Sequence, residues 1–211
     1  MKITILYDND AFDKRLSPDW GFAALIEAFG RTILFDTGAS GQILTENMHR
    51  LGISPDCIQE IFISHDHWDH TGGLPGILEL NPVRVYVPDT ISSVDHAPET
   101  VSISQPMEIH ENIYSTGTLK NIEQSMCIRE GQKVVVIAGC SHPGVETILA
   151  AAAPIGPPVA LIGGLHGFCD FPVIDCLDWV CATHCTQYKQ QIQSRLGRKS
   201  LAGGAGRVIE I

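Results

Sequence analysis

Nowhere in the chain do apolar residues run for the roughly 18 to 20 positions that a membrane span requires. The opening Met1-Lys2-Ile3-Thr4-Ile5-Leu6-Tyr7-Asp8 meets an acid before any signal-like core develops. No membrane partner is expected, and the chain reads as cytoplasmic. Basic residues are also scarce, 14 Lys and Arg against 24 Asp and Glu for a formal charge of −10, and they form no dense run. That balance opposes adsorption to phosphate backbones, so nucleic acid is not an expected partner. A small anionic substrate stays compatible, because bound divalent cations dominate the field inside a pocket. The seven cysteines are odd in number and show no compact disulfide framework. Reduced thiols in a reducing compartment follow, some of them available as metal ligands. With low-complexity segments and linkers absent as well, 44% hydrophobic and 18% charged residues describe one globular domain over 1–211 that can bury its own core.

What is present is a repeated unit of strand, polar loop and helix. Residues 2 to 7 and 22 to 28 are apolar-rich, and Gly30-Arg31 turns the chain into Thr32-Ile33-Leu34-Phe35, a strand that stops at Asp36-Thr37-Gly38. Ser40 caps a helix with Leu44, Met48 and Leu51 on one face, ended by Gly52. The strand Glu60 to Ser64 then delivers the chain into His65-Asp66-His67-Trp68-Asp69-His70. A short helix over Leu74 to Leu80 follows, and Val83, Val85 and Val87 alternate as in a half-buried strand. Residues 88 to 100 read as a solvated surface loop rather than a substrate lid. Short strands dominate residues 101 to 138, with a hairpin around Glu130-Gly131-Gln132. The run Val134-Val135-Val136-Ile137 ends at Gly139-Cys140-Ser141-His142, and Pro143 opens a helix carrying Val145, Ile148, Leu149 and Ala152. The pattern recurs at Val159 to Ile162, which runs into Gly163-Gly164-Leu165-His166. A helix is expected from about Pro172 to Cys181 with His184 directly after it, then a helix from Gln187 to Leu196 and a closing strand from Arg207 to Ile211.

Three histidines and two aspartates within six residues call for a chemical reason. Neutral imidazole is a strong ligand for borderline metals, and carboxylates complete such sites. In an extended loop His65 and His67 point the same way, while the next turn of chain swings Asp69 and His70 toward a neighbouring ion. Zinc fits this donor set, one ion or two, and iron or manganese would also accept it.

The run His65 to His70, followed by Thr71-Gly72-Gly73, resembles the H-x-H-x-D-H signature of the metallo-β-lactamase superfamily. Asp36-Thr37-Gly38, His142 and His184 fall in that family's order. The segments Gly139 to Gly144, Gly163 to His166 and His184-Cys185-Thr186 look like the branch related to dihydropterin ribofuranosyl-aminobenzene phosphate synthase. The resemblance implies an α/β fold, an αββα sandwich with metals at one edge between the sheets. It implies His65, His67 and His142 on a first metal and Asp69, His70 and His184 on a second, with Asp36 orienting ligands through hydrogen bonds. One departure concerns the bridge: most binuclear members place an aspartate after the strand that here ends at His166. Either His166 ligates a metal, or it contacts substrate as an acid or anion binder, or Asp170 supplies the missing oxygen.

The chemistry so implied is hydrolysis by metal-bound hydroxide, with Asp69 orienting it and His166 placed to protonate the leaving atom. A phosphoester or phosphodiester of pterin or nucleotide type leads. A thioesterase or lactonase reaction, and a metal-binding or sensory protein with little turnover, are the alternatives. Weaker signals are assigned structural roles. Trp68 packs beside the site, Asn9 and Asp10 fit a turn or the pocket edge, and Cys176, Cys181 and Cys185 are helix-face thiols rather than a second cluster. His49, His96 and His110 read as surface residues, and Gly203-Gly204-Ala205-Gly206 precedes a strand, so it is not a phosphate-cradling loop.

Overall fold

Two mixed sheets, laid face to face and covered on their outer sides by helices, account for nearly every apolar run in the sequence. The computed structural model describes all residues, 1–211. The first sheet is built from β1 (Lys2–Tyr7), β2 (Ala23–Ala28), β3 (Arg31–Phe35), β4 (Glu60–Phe62), β5 (Arg84–Pro88), β6 (Thr100–Ile103) and, at its far edge, β13 (Val208–Glu210). Its strand order is β13-β1-β2-β3-β4-β5-β6. The second contains β7 (Met107–His110), β8 (Ile113–Ser115), β9 (Met126–Glu130), β10 (Lys133–Ala138), β11 (Pro158–Gly164) and β12 (Trp179–Thr183), in the order β12-β11-β10-β9-β8-β7.

Alternation along the strands sends one set of side chains between the sheets and the other outward. Ile3, Ile5, Ile33, Phe35 and Phe62 of the first sheet meet Ile128, Val135, Ile137 and Ile162 of the second in one inner core. Leu25, Leu34, Ile61, Val85 and Val87 point the other way, against Leu44 and Met48 of α1 (Gly41–Arg50) and Ile77 and Leu78 of α3 (Leu74–Leu80). Val136, Leu161 and Val180 pack likewise against α4 (Val145–Ala152) and α5 (Lys189–Leu196). The result is the four-layer αββα sandwich. Truncating a fully buried side chain such as Ile137 to alanine costs about 2–5 kcal/mol. No helix is long and apolar enough to cross a membrane.

Several elements fall where patterning puts them. Ser40 accepts a hydrogen bond from Ile43 N at the start of α1, and α3 has the expected bounds. The first hairpin turns one residue earlier than expected, at Phe29-Gly30, both with positive φ as a tight hairpin turn requires. The strand leading to the histidine run is shorter, ending at Phe62. β5 is buried on both faces rather than one, since the second sheet and the outer helices enclose it. Pro143 precedes its helix, whose cap is Gly144 at φ 94. Ile91, Val94 and Ala97 of the 88–100 loop pack on the outer core of the first sheet.

The largest correction lies at 172–181. No helix forms there: a 3-10 turn over Phe171–Ile174 is followed by β12. β12 pairs in parallel with β11, Leu161 beside Val180 and Ile162 beside Cys181. A ladder of parallel hydrogen bonds outweighs a weak helical spacing, and sequence periodicity cannot register that partner. Its consequence is functional, because His184 now follows a strand, like every other candidate residue of the second sheet.

Candidate metal centre

Parallel pairing within β3-β4-β5 and within β10-β11-β12 aligns the carboxyl ends of these strands along one edge of the sandwich. Asp36 follows β3, His65 follows β4 by three residues, Cys140 and His142 follow β10, His166 follows β11 and His184 follows β12. The edge collects side chains distant in sequence, as strand ends in open α/β sheets do.

Within the first loop, His67 keeps an extended backbone and α2 (Trp68–Thr71) then makes one helical turn, which turns Asp69 and His70 inward. Thr37 clamps that turn through its N and Oγ1, both donating to His70 O at 2.8 Å. A Cβ on Gly73 would stand 2.2 Å from Thr37 O, so the contact needs glycine there. Asp36 organises the centre from behind. Its carboxylate accepts from Ser64 N, Ser64 Oγ and His70 Nδ1, each at 2.7 Å, and burial pushes its carboxyl up to about 8.

These partners decide where the imidazole lone pairs face. Since Asp36 accepts, His70 carries its proton on Nδ1 and leaves Nε2 bare. Ser64 Oγ donates to Asp36, so at 2.8 Å from His65 Nδ1 it accepts, and His65 Nε2 is bare as well. The Asn9 amide oxygen, 2.8 Å from His184 Nδ1, does the same for His184. The Nε2 atoms of His142 and His184 are buried without a hydrogen-bond partner. His184 Nε2 lies 3.3 Å from Asp69 Oδ2 with no hydrogen bond between them, so a nitrogen lone pair and a carboxylate oxygen face the same space. Burial and mutual repulsion hold His65 and His70 far below the ordinary imidazole range, and burial brings His142 down to about 4. Burial alone would raise Asp69, but the neighbouring His70 and His184 bring it down, so it stays a carboxylate. Neutral imidazoles with inward lone pairs and a carboxylate beside them form a donor set suited to a divalent cation.

The six ligands expected from sequence are brought together, with differences of degree. His65 and His70 are buried with ring centroids 4.2 Å apart, and His142 stands 4.9 Å from His65 and 4.8 Å from His67. His67 is at the exposed side, its Nδ1 3.1 Å from His65 Nε2. His166 is exposed at the rim, 5.1 Å ring to ring from His142. Asp170 faces solvent at the head of the 3-10 turn, where its charge acts on Arg195. Two groups have ligand atoms all within 4.8 Å of one another, His65-Cys140-His142 and His70-Cys140-His184, with Cys140 where His67 and Asp69 were expected.

Other residues at the edge had no signature. The indole beside the centre is Trp20, whose Nε1 donates to Asp69 Oδ2 at 2.8 Å while its ring meets His184 edge-on. Trp68, expected there, is 65% exposed. Glu123 is buried beneath the 139–142 loop and accepts from the N–H groups of Gly139, Cys140 and Ser141 at 3.0 Å and of His142 at 2.8 Å. Burial pushes its carboxyl up to about 7 against those four donors. Asn9 lines the edge, whereas Asp10 pairs with Lys189 at the surface. His49 and His96 are exposed, but His110 is half-buried against Glu60. Cys176 is exposed, Cys181 lies in the inner core and Cys185 sits beside Cys140, so the three form no second cluster.

Two sheets between helices, with a histidine-rich edge at the ends of their parallel strands, define the metallo-β-lactamase fold. The sequence model described as the metallo-beta-lactamase superfamily matches residues 18–111. An uncharacterized protein of Methanocaldococcus jannaschii is 25% identical, covering 99% of this chain and all of its own length. That organism's 7,8-dihydropterin-6-methyl-4-(beta-D-ribofuranosyl)-aminobenzene-5'-phosphate synthase is 25% identical over 83% of this chain and 84% of its own. The crystal structure of a metal-dependent hydrolase of the beta-lactamase superfamily superposes with a TM-score of 0.83 at 24% identity, covering 100% of this chain and 99% of the other. The chain is thus similar to the metallo-beta-lactamase superfamily over residues 18–111 and shares its fold.

Proposed function

We propose that the chain is a zinc-dependent hydrolase that cleaves a phosphoester or phosphodiester bond in a small anionic molecule of pterin or nucleotide type. The observation that carries this reading is the convergence of bare, buried imidazole nitrogens on one edge, with His142 Nε2 and His184 Nε2 lacking any protein partner. His65, His67 and His142 would hold one ion and Asp69, His70 and His184 the other. A divalent cation there supplies Lewis acidity toward a phosphoryl oxygen and lowers the pKa of a coordinated water.

The chain's own residues orient and gate that chemistry. Asp36, Ser64 and Asn9 fix the tautomers of His70, His65 and His184, so those imidazoles approach with lone pairs already aimed. Trp20 holds Asp69 Oδ2 in place, leaving Oδ1 to accept a proton or steer a nucleophile. His166, exposed and next to His142, is positioned to bind the substrate's anionic group or protonate the departing oxygen. With a formal charge of −10 over the molecule, attraction for an anion has to come from this edge. The synthase relative, named for a phosphate ester, agrees with the substrate class.

Zinc-loaded protein incubated with phosphomonoesters, phosphodiesters, thioesters and lactones tests the reading. Turnover of a phosphate ester, lost on chelation and restored by zinc, is expected. Turnover confined to thioesters or lactones would replace the substrate class, and tight zinc binding with no turnover on any panel member would replace the hydrolase.

A further inference from the structure

The carboxylate that the resemblance leads one to expect after β11 has no counterpart: the strand ends in Gly163-Gly164, and the residue that follows at the rim, His166, is exposed. Gly164 has no room for a side chain, since a Cβ would stand 2.6 Å from Gly139 O and 2.7 Å from Cys185 Sγ. The neighbouring loop, pressed against it, carries a different donor. Cys140 is the one member common to both tight ligand groups, with His65 and His142 on one side and His70 and His184 on the other. Its sulfur lies 3.1 Å from His70 Nε2, the nitrogen that Asp36 leaves bare. Each group also contains one buried imidazole nitrogen without a partner, His142 Nε2 in the first and His184 Nε2 in the second. The sulfur cannot readily swing away, because Glu123 binds N–H groups on both sides of it and Ser141 Oγ donates to Gly164 O at 2.7 Å.

We propose that the Cys140 sulfur is the ligand shared by two adjacent cations, one held with His65 and His142 and the other with His70 and His184, in the bridging position that β11 leaves without a carboxylate. Cys185, its sulfur 3.2 Å away, acts as the hydrogen-bond partner of Cys140 rather than as a ligand. A soft thiolate at the bridge selects zinc over manganese, which an oxygen bridge would not do. The inference rests on the metal centre of the proposed function and on no step of its reaction.

X-ray absorption at the zinc edge, with elemental analysis of the same full-length samples, tests it without reference to turnover. Wild type is expected to bind two zinc ions with a sulfur scatterer at about 2.3 Å. Cys140→Ser should lose the sulfur signal and one equivalent of zinc. Cys185→Ser should keep both, and Cys140→Asp should recover the second ion with an oxygen and nitrogen shell only. A sulfur-free shell in wild type overturns the proposal even if no variant folds. A sulfur signal that survives Cys140→Ser and disappears in Cys185→Ser overturns it too, by moving the ligand to Cys185. Phosphate-ester turnover with a sulfur-free shell would sink the bridge alone, zinc–sulfur bonds in a protein inert toward every ester would sink the reaction alone, and failure to bind zinc would sink both.

Discussion

The two sheets contribute to the edge in opposite ways. The first supplies His65, His67, Asp69 and His70 from one loop, so a single strand and a single turn of helix set their relative positions. The second supplies Cys140 and His142, His166 and His184 from the ends of three strands, and only correct pairing of β10, β11 and β12 brings them into one place. Local chain geometry protects the first set. The second depends on register and on buried props such as Glu123.

Removing a candidate ligand from the contiguous loop should have the largest effect. His70→Ala leaves Asp36 without its imidazole and the centre without a fully buried donor, so bound zinc should drop by at least one equivalent and turnover by more than ~100-fold. Full zinc content in that variant would remove the loop from the centre. Asp36→Asn comes next: it keeps size but weakens three hydrogen bonds, and zinc affinity should fall by about 10–100-fold in a competition titration.

Glu123→Ala probes the second sheet. It strips four backbone N–H groups of their acceptor, and the midpoint of urea unfolding should fall by the equivalent of about 2–3 kcal/mol with an unchanged denaturant slope. An unaffected midpoint would mean that the loop holds itself.

Acid should weaken both regions together in metal-free protein. His65, His70 and His142 have folded-state pKa values below the ordinary imidazole value, so as pH falls below about 6.5 the unfolded chain takes up protons that the folded one refuses. Stability is therefore full above that pH and declines on acidification, with about one proton bound per histidine on unfolding. A melting temperature flat from pH 7 to 5 would contradict the burial of these rings. Trp20→Phe should have the smallest effect: one half-exposed hydrogen bond to Asp69 is lost, for roughly threefold to tenfold in turnover.

The same contrast explains what could be read from the sequence. His65 to His70 and the strand before them announce themselves because ligands on one loop leave a short motif. His142 and His184 are legible through polar clusters at the ends of apolar runs, although spacing alone predicts a helix before His184 where the chain forms β12 and pairs with β11. Cys140 was visible beside His142, but its place between the two ligand groups is a property of the packed sheets. Glu123 and Trp20 left no trace at all. Their partners lie 16 or more residues away for Glu123 and 49 away for Trp20, so no local spacing could register them.

Four residues at this edge, Asp36, Ser141, His166 and His184, hold φ angles of 53°, 61°, 46° and 44°. For side chains with a Cβ that twist is uphill by roughly 1–2 kcal/mol apiece, and glycine would adopt it freely. Replacing them by glycine would relieve that twist but erase side chains that line or brace this edge, so thermal hardiness in this protein has to be gained elsewhere, in its helices and its inner core.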